Sequence, residues 1–229
     1  MKRSGRLLAG IVLALALCRP VVADPGANAA PQGSDDESTA VETLLFSTDH
    51  LVGVATPVRL EYRFSWNGAG PFTDRVVLTV TGEGTRNVVP EYLSDGRHVD
   101  FPGVENARGN PLLLYFLEHD LREMQRETQG QAAYFRRALR RAMADRALTI
   151  EEGEASVGGR SVHVRRIVLA PFRGERNGAL RYPRIKEKTY EFVLSADVPG
   201  EIVSLATHVI SDDGKEQSAR VDWVGTSPL

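Results

Sequence analysis

One cysteine occurs in the 229 residues, Cys18, and it sits in the first apolar segment of the chain. With that segment removed, no disulfide, thiol nucleophile or cysteine metal site remains, so stability has to come from a hydrophobic core. Lysine is scarce: 24 of the 28 basic residues are arginine, and no basic run exceeds two residues. Nucleic-acid binding needs a concentrated positive footprint, which this distribution lacks. Beyond residue 18 no apolar run is long enough to cross a bilayer, the run at residues 112–117 having only six members. A Gly-x-Ser-x-Gly elbow is missing. Ser47-Thr48-Asp49-His50 has the residue types of a relay, but adjacent residues point in different directions and read as turn chemistry.

What is present begins with an address. MKRSGRLLAGIVLALALCRPVVADP combines a positive start (Lys2, Arg3, Arg6), an apolar stretch over residues 7–18 and small residues at 21–23. That is the pattern of a cleaved secretory signal, with the cut after Ala23 and a periplasmic or secreted destination. Leu15-Ala16-Leu17-Cys18 offers a rival lipoprotein reading, which bulky Leu17 disfavours because that processing wants a small residue before the cysteine. Removing the signal takes four basic residues (Lys2, Arg3, Arg6, Arg19) and no acid, leaving 24 against 30 acids, a net charge of about −6. Residues 24–40, DPGANAAPQGSDDESTA, hold no large apolar side chain and read as a flexible leader. One domain then spans residues 41–229.

Strand signals fill residues 41–101. Val58, Leu60, Tyr62 and Phe64 alternate with Arg59, Glu61 and Arg63, as a half-buried strand should, and residues 75–81 supply its partner across a Gly-rich loop. A second hairpin is expected between residues 88–93 and 98–101, turning at Asp95-Gly96. Asn110 as N-cap and Pro111 at the first helical position open a helix to about Thr128, with Gly130 as its break and Glu118 four residues before Arg122. A second helix is expected over residues 131–147. Tyr134, Phe135, Ala138, Leu139, Ala142 and Met143 form its apolar stripe, opposite Arg136, Arg137, Arg140 and Arg141. Strands resume at residues 148–157, 161–169, 189–194, 201–210 and 217–224, joined by short turns that make neighbours antiparallel. The expectation is an α+β domain: one curved antiparallel sheet of eight to ten strands, an incomplete barrel, wrapped around two central helices. The all-apolar start of the first helix then belongs inside the hollow of the sheet, and its charged end in water.

Chemistry-bearing clusters are sparse. His119 with Glu123, at i and i+4, reads as a solvated helix face rather than a metal site, and His98 with Asp100 does no better. The carboxylate pairs Asp35-Asp36, Glu151-Glu152 and Asp212-Asp213 fall in the leader, a strand and a turn, where solvation explains them better than glycosidase chemistry. No cofactor motif and no catalytic set emerge. The four-arginine face reads first as a solvated surface, and secondly as a peripheral contact with anionic lipid or an acidic envelope partner.

The order of elements, together with the terminal meander YEFVLSADVPGEIVSLATHVISDDGKEQSARVDWVG, resembles the periplasmic lipoprotein-carrier (LolA/LolB-like) superfamily of incomplete β-barrels. The resemblance implies non-covalent carriage of a lipid moiety under a helical lid, without catalysis, and a leading helix ahead of the first strand that the strand-like reading of residues 41–57 does not show. The functional expectation is a non-enzymatic envelope protein that binds an apolar, acyl-like ligand on the concave face, lined by Phe64, Trp66, Leu113, Phe116 and Leu117. A periplasmic scaffold or interaction module with a closed core is the alternative, and a hydrolase the third reading. N-terminal sequencing of the exported protein should begin at Asp24.

Overall fold

A computed structural model describes residues 38–174, 182–210 and 214–229. The signal segment, Cys18, nearly all of the leader and the Asp212-Asp213 turn lie outside the described residues. Nine strands form one antiparallel sheet in the order β4-β3-β2-β1-β9-β8-β7-β6-β5. They are β1 (Val58–Asn67), β2 (Phe72–Thr81), β3 (Arg86–Tyr92), β4 (Val104–Ala107), β5 (Glu151–Val157), β6 (Arg160–Leu169), β7 (Thr189–Leu194), β8 (Ile202–Ile210) and β9 (Glu216–Ser227). The chain's last strand closes on its first, β9 lying between β1 and β8, while β4 and β5 remain unjoined edges. The sheet is therefore a curved, open one, and the α+β expectation holds.

The helices are α1 (Ala40–Glu42, continued by a π turn over Thr43–Ser47), α2 (Leu112–Thr128) and α3 (Ala132–Met143). The first is a correction, because residues 41–47 carry helix and not strand. The signal was local: Thr39-Ala40-Val41-Glu42 is a capping box, in which Thr39 Oγ1 accepts from Glu42 N at 3.1 Å and Thr39 N donates to Glu42 Oε2 at 3.0 Å. Val41, Leu44 and Leu45, spaced three and four apart, bury the inner face. The fold thus begins two residues earlier than the expected boundary at Val41, with Thr39 Oγ1 also donating to Met143 O at the end of α3.

A second correction concerns residues 98–101. They form no strand; a 3₁₀ turn over Asp95–Arg97 leaves a single bridge between Tyr92 and Val99, and β3 instead pairs with β4, which had no clear alternation to announce it. Smaller shifts shorten α3, which stops at Met143 rather than 147, and start β5 at Glu151 rather than 148.

Helix α2 enters the hollow of the sheet by its apolar start, as its sequence leads one to expect. Leu112, Leu113, Tyr115, Phe116 and Leu117 are all buried, against the side chains of the sheet's inner face such as Leu60, Tyr62, Phe64 and Leu78. Leu114 is the exception, at 57% exposed, so the first half is apolar on every side but not buried on every side. Each buried member contributes about 1.5–3 kcal/mol relative to exposure. The helix ends where Gln129 takes a left-handed φ of 54° and Gly130 follows, with no room for a Cβ, which would lie 2.4 Å from Phe135 Cζ. That tight corner returns α3 with Phe135, Ala138, Leu139 and Met143 inward and all four arginines outward. Phe116→Ala should lower unfolding free energy by about 3–5 kcal/mol in urea titration. Leu114→Ala, on the same helix, should change it by less than about 0.5 kcal/mol.

Candidate functional site

The entry of α2 is fastened by a buried polar network. Asn110 Oδ1 accepts from Leu112 N at 3.1 Å, capping the helix, while its Nδ2 donates to Tyr62 Oη at 3.1 Å and to Gly200 O at 2.8 Å. Asn110 N donates to His50 Nδ1 at 3.1 Å, and His50 Nε2 lies 2.9 Å from Leu44 O. Only the tautomer protonated at Nε2 satisfies both contacts, so His50 is neutral here. Gly200, at φ +79°, has no space for a side chain: a Cβ would lie 2.8 Å from Leu60 Cδ1 and 2.9 Å from Asn110 Nδ2. The Ser47-Thr48-Asp49-His50 stretch is accordingly structural. Asp49 caps Leu51 N at 3.3 Å and faces Arg108 at 3.6 Å.

With its first half so held, α2 runs along the concave face and leaves its second half as the wall of an open groove of about 830 Å³. Phe64, Trp66 and Phe72 from β1 and β2 line it, with Thr207 and Val209 from β8 and Ala219 from β9. Register explains the grouping. Phe64 opposes Val221, Trp66 opposes Ala219, and Ala219 opposes Thr207, so these residues share one face. The helix supplies His119, Asp120, Arg122, Glu123, Arg126 and Glu127.

The expected lining residues therefore divide. Phe64 and Trp66 reach the groove; Leu113, Phe116 and Leu117 are packed in the core one to two turns earlier on α2 and form no part of its wall. Trp66 Nε1 donates to Ala69 O at 3.3 Å, folding the indole over Gly68, where a Cβ would meet it at 2.3 Å. Another concavity, of about 560 Å³, lies among the outward residues Arg59, Glu61, Arg63, Arg75 and Glu91, on the opposite face of β1–β3.

The helix side of the groove carries a buried polar cluster that no spacing in the sequence announces. Lys188 Nζ sits 2.5 Å from Asp120 Oδ1, both side chains under a tenth exposed, and Tyr190 donates to Asp120 Oδ2 at 2.6 Å. These partners are 68 and 70 residues apart. His119 is half-buried rather than fully solvated: its ring packs 5.5 Å from Phe64 and 5.3 Å from Tyr92, and Glu123 pairs with Arg126. Among the described residues no three His, Cys, Asp or Glu side chains are placed to hold one metal ion.

The arginine face of α3 is partly engaged, since Arg136 reaches both carboxylate oxygens of Glu118 at 2.9 and 2.8 Å. Glu118 also faces Arg122 at 3.5 Å, the expected i, i+4 pair. Arg137, Arg140 and Arg141 are exposed. No family model matches the chain, and no curated protein matches it.

Burial lowers the pKa of both His50 and His119 below 6.5; around His50 the charges of Glu201 and Asp49 oppose the shift and Arg165 adds to it. The unfolded chain takes up these protons near the ordinary value while the folded one resists. The stabilisation is therefore complete above about pH 6.5 and lost as pH falls below it, by up to about 1.4 kcal/mol per pH unit for fully buried His50. The urea midpoint should fall between about pH 7 and pH 5, and His50→Gln should flatten that slope.

Proposed function

We propose that this is an exported, non-enzymatic binding protein of the cell envelope whose groove takes an apolar, acyl-like ligand. The observation that carries the reading is the groove itself. Its sheet side is built from Phe64, Trp66, Phe72, Val209 and Ala219, an apolar floor that the domain's own helix does not cover. A concave site of this size with an apolar floor and a polar rim is the usual form of a small-ligand site. The buried first half of α2 fills the hollow beside it.

Export rests on the signal pattern of residues 1–23, and no described helix is long and apolar enough to span a membrane. The resemblance in element order to lipoprotein-carrier-like barrels points the same way, and a short helix over Ala40–Glu42 precedes β1.

Lipid extraction of protein purified from its native compartment, followed by mass spectrometry, should recover a stoichiometric apolar ligand. The delipidated protein should bind the uncharged dye Nile red. Val209→Glu places a charge on the apolar floor and should weaken dye binding by about tenfold or more, since an unpaired buried charge costs several kcal/mol. Absence of both lipid and dye binding would favour the interaction-module alternative.

A further inference from the structure

Glu118 has two arginines to balance. It takes Arg136 of α3 on both carboxylate oxygens, at 2.9 and 2.8 Å, and Arg122 of its own helix at 3.5 Å. One carboxylate against two guanidinium groups leaves a surplus of positive charge, and the surplus grows along α3. Arg137, Arg140 and Arg146 are exposed and form no ion pair among the described residues. Residues 131–147 hold five arginines (Arg136, Arg137, Arg140, Arg141 and Arg146) and one acid, Asp145, whose Oδ1 accepts from Ala147 N at 2.9 Å. The stretch is about +4, while the rest of the exported chain has 19 basic residues against 29 acids. So uneven a field draws an anionic partner to this one face. The macrodipole of α3 accounts for cations in its last turn, Arg140 and Arg141, but not for Arg136 and Arg137 in its middle.

Exposed apolar side chains mark the same surface. Arg136 reaching Glu118 puts the outward sides of α2 and α3 next to each other. Leu114, 57% exposed, stands one turn from Glu118 on the same stripe of α2, and Arg140 one turn from Arg136 on α3. Phe46, 40% exposed, lies on the segment that links the close of α3, where Thr39 Oγ1 donates to Met143 O, to the start of α2, where Asn110 N donates to His50. Lipid phosphates satisfy arginines in any lateral arrangement, and the same bilayer gives Leu114 and Phe46 an apolar layer to enter. Arg122 belongs both to this face and to the groove wall, so the two are continuous.

We propose that this helical face docks the protein on a bilayer containing acidic phospholipid, with Arg137 and Arg140 on lipid phosphates and Leu114 and Phe46 in the headgroup region. Docking uses the outside of the helices and leaves the Asp120–Lys188–Tyr190 cluster untouched. It goes beyond the ligand reading and stands whether or not the groove is filled.

The test is co-sedimentation of the exported chain with vesicles of phosphatidylcholine alone or with about 30% phosphatidylglycerol, at about 0.1 M salt. The acidic vesicles should bind it and the neutral ones should not, and binding should be lost at about 0.5 M salt through screening. Arg137→Gln with Arg140→Gln should weaken partitioning about twentyfold, at about fivefold per arginine. Leu114→Ser should weaken it about threefold or more. Both variants should keep Tm within about 2 °C, since the side chains are exposed. No binding to the acidic vesicles, equal binding to both kinds, or undiminished partitioning of the double-arginine variant overturns the inference. Capture by polyglutamate without capture by acidic vesicles also overturns it, and assigns the face to an acidic protein.

Discussion

One asparagine decides where the central helix begins and what it lies under. Asn110 donates through its side-chain amide to a tyrosine of β1 and to the backbone of the β7–β8 turn, and accepts from the first turn of α2. The first two partners stand 48 and 90 residues away. A buried amide satisfied at this many points holds one arrangement, and removing the Asn110 side chain leaves its partners unpaired at about 1–3 kcal/mol each. Hydrophobic burial drives residues 112–117 into the hollow of the sheet but is non-directional. The asparagine network, with neutral His50 behind it, sets the depth and the axis.

Fixing that end determines the rest of the helix. A 17-residue α-helix is longer than the covered part of the hollow, so its second half, carrying His119 to Glu127, projects along the open side of the sheet. The groove exists because one end of α2 is apolar on nearly every side and the other is charged. Its floor inherits the inward aromatic residues of β1 and β2. Its far wall inherits the charged half of the helix, with Arg126 beside Glu123 and Arg122 beside Glu118. Asp74 shows how firmly the rim is built: burial alone would raise its pKa, but hydrogen bonds from Ser94, from the Arg75 amide and from Arg97 bring it to about 2.

Much of this scaffold was legible in the sequence because the signals were local. Period-two alternation marked β1, Asn110-Pro111 marked the helix start, and the stripe from Tyr134 to Met143 set the orientation of α3. The helix ahead of β1 was equally local, in the capping box of Thr39 and Glu42, but the apolar residues that follow it were read with a strand period. β4 had no such signal, its four residues showing no alternation of burial. The buried polar cluster was beyond reach for a different reason. Asp120 lies on α2 while Lys188 and Tyr190 stand together at the start of β7, 68 and 70 residues away, and nothing near Asp120 encodes that pairing. The same limit explains why Phe64 and Trp66 reach the groove while Leu113, Phe116 and Leu117 do not, since the depth of α2 is set by contacts far away in sequence.

Amide hydrogen exchange, resolved along α2, tests the central claim most directly. If the helix is anchored in the hollow by its first half, the amides of residues 115–117 exchange only through global unfolding, and those of residues 122–127 exchange much faster through local opening. Equal protection along the helix, or faster exchange at its apolar start than at its charged end, would contradict the account.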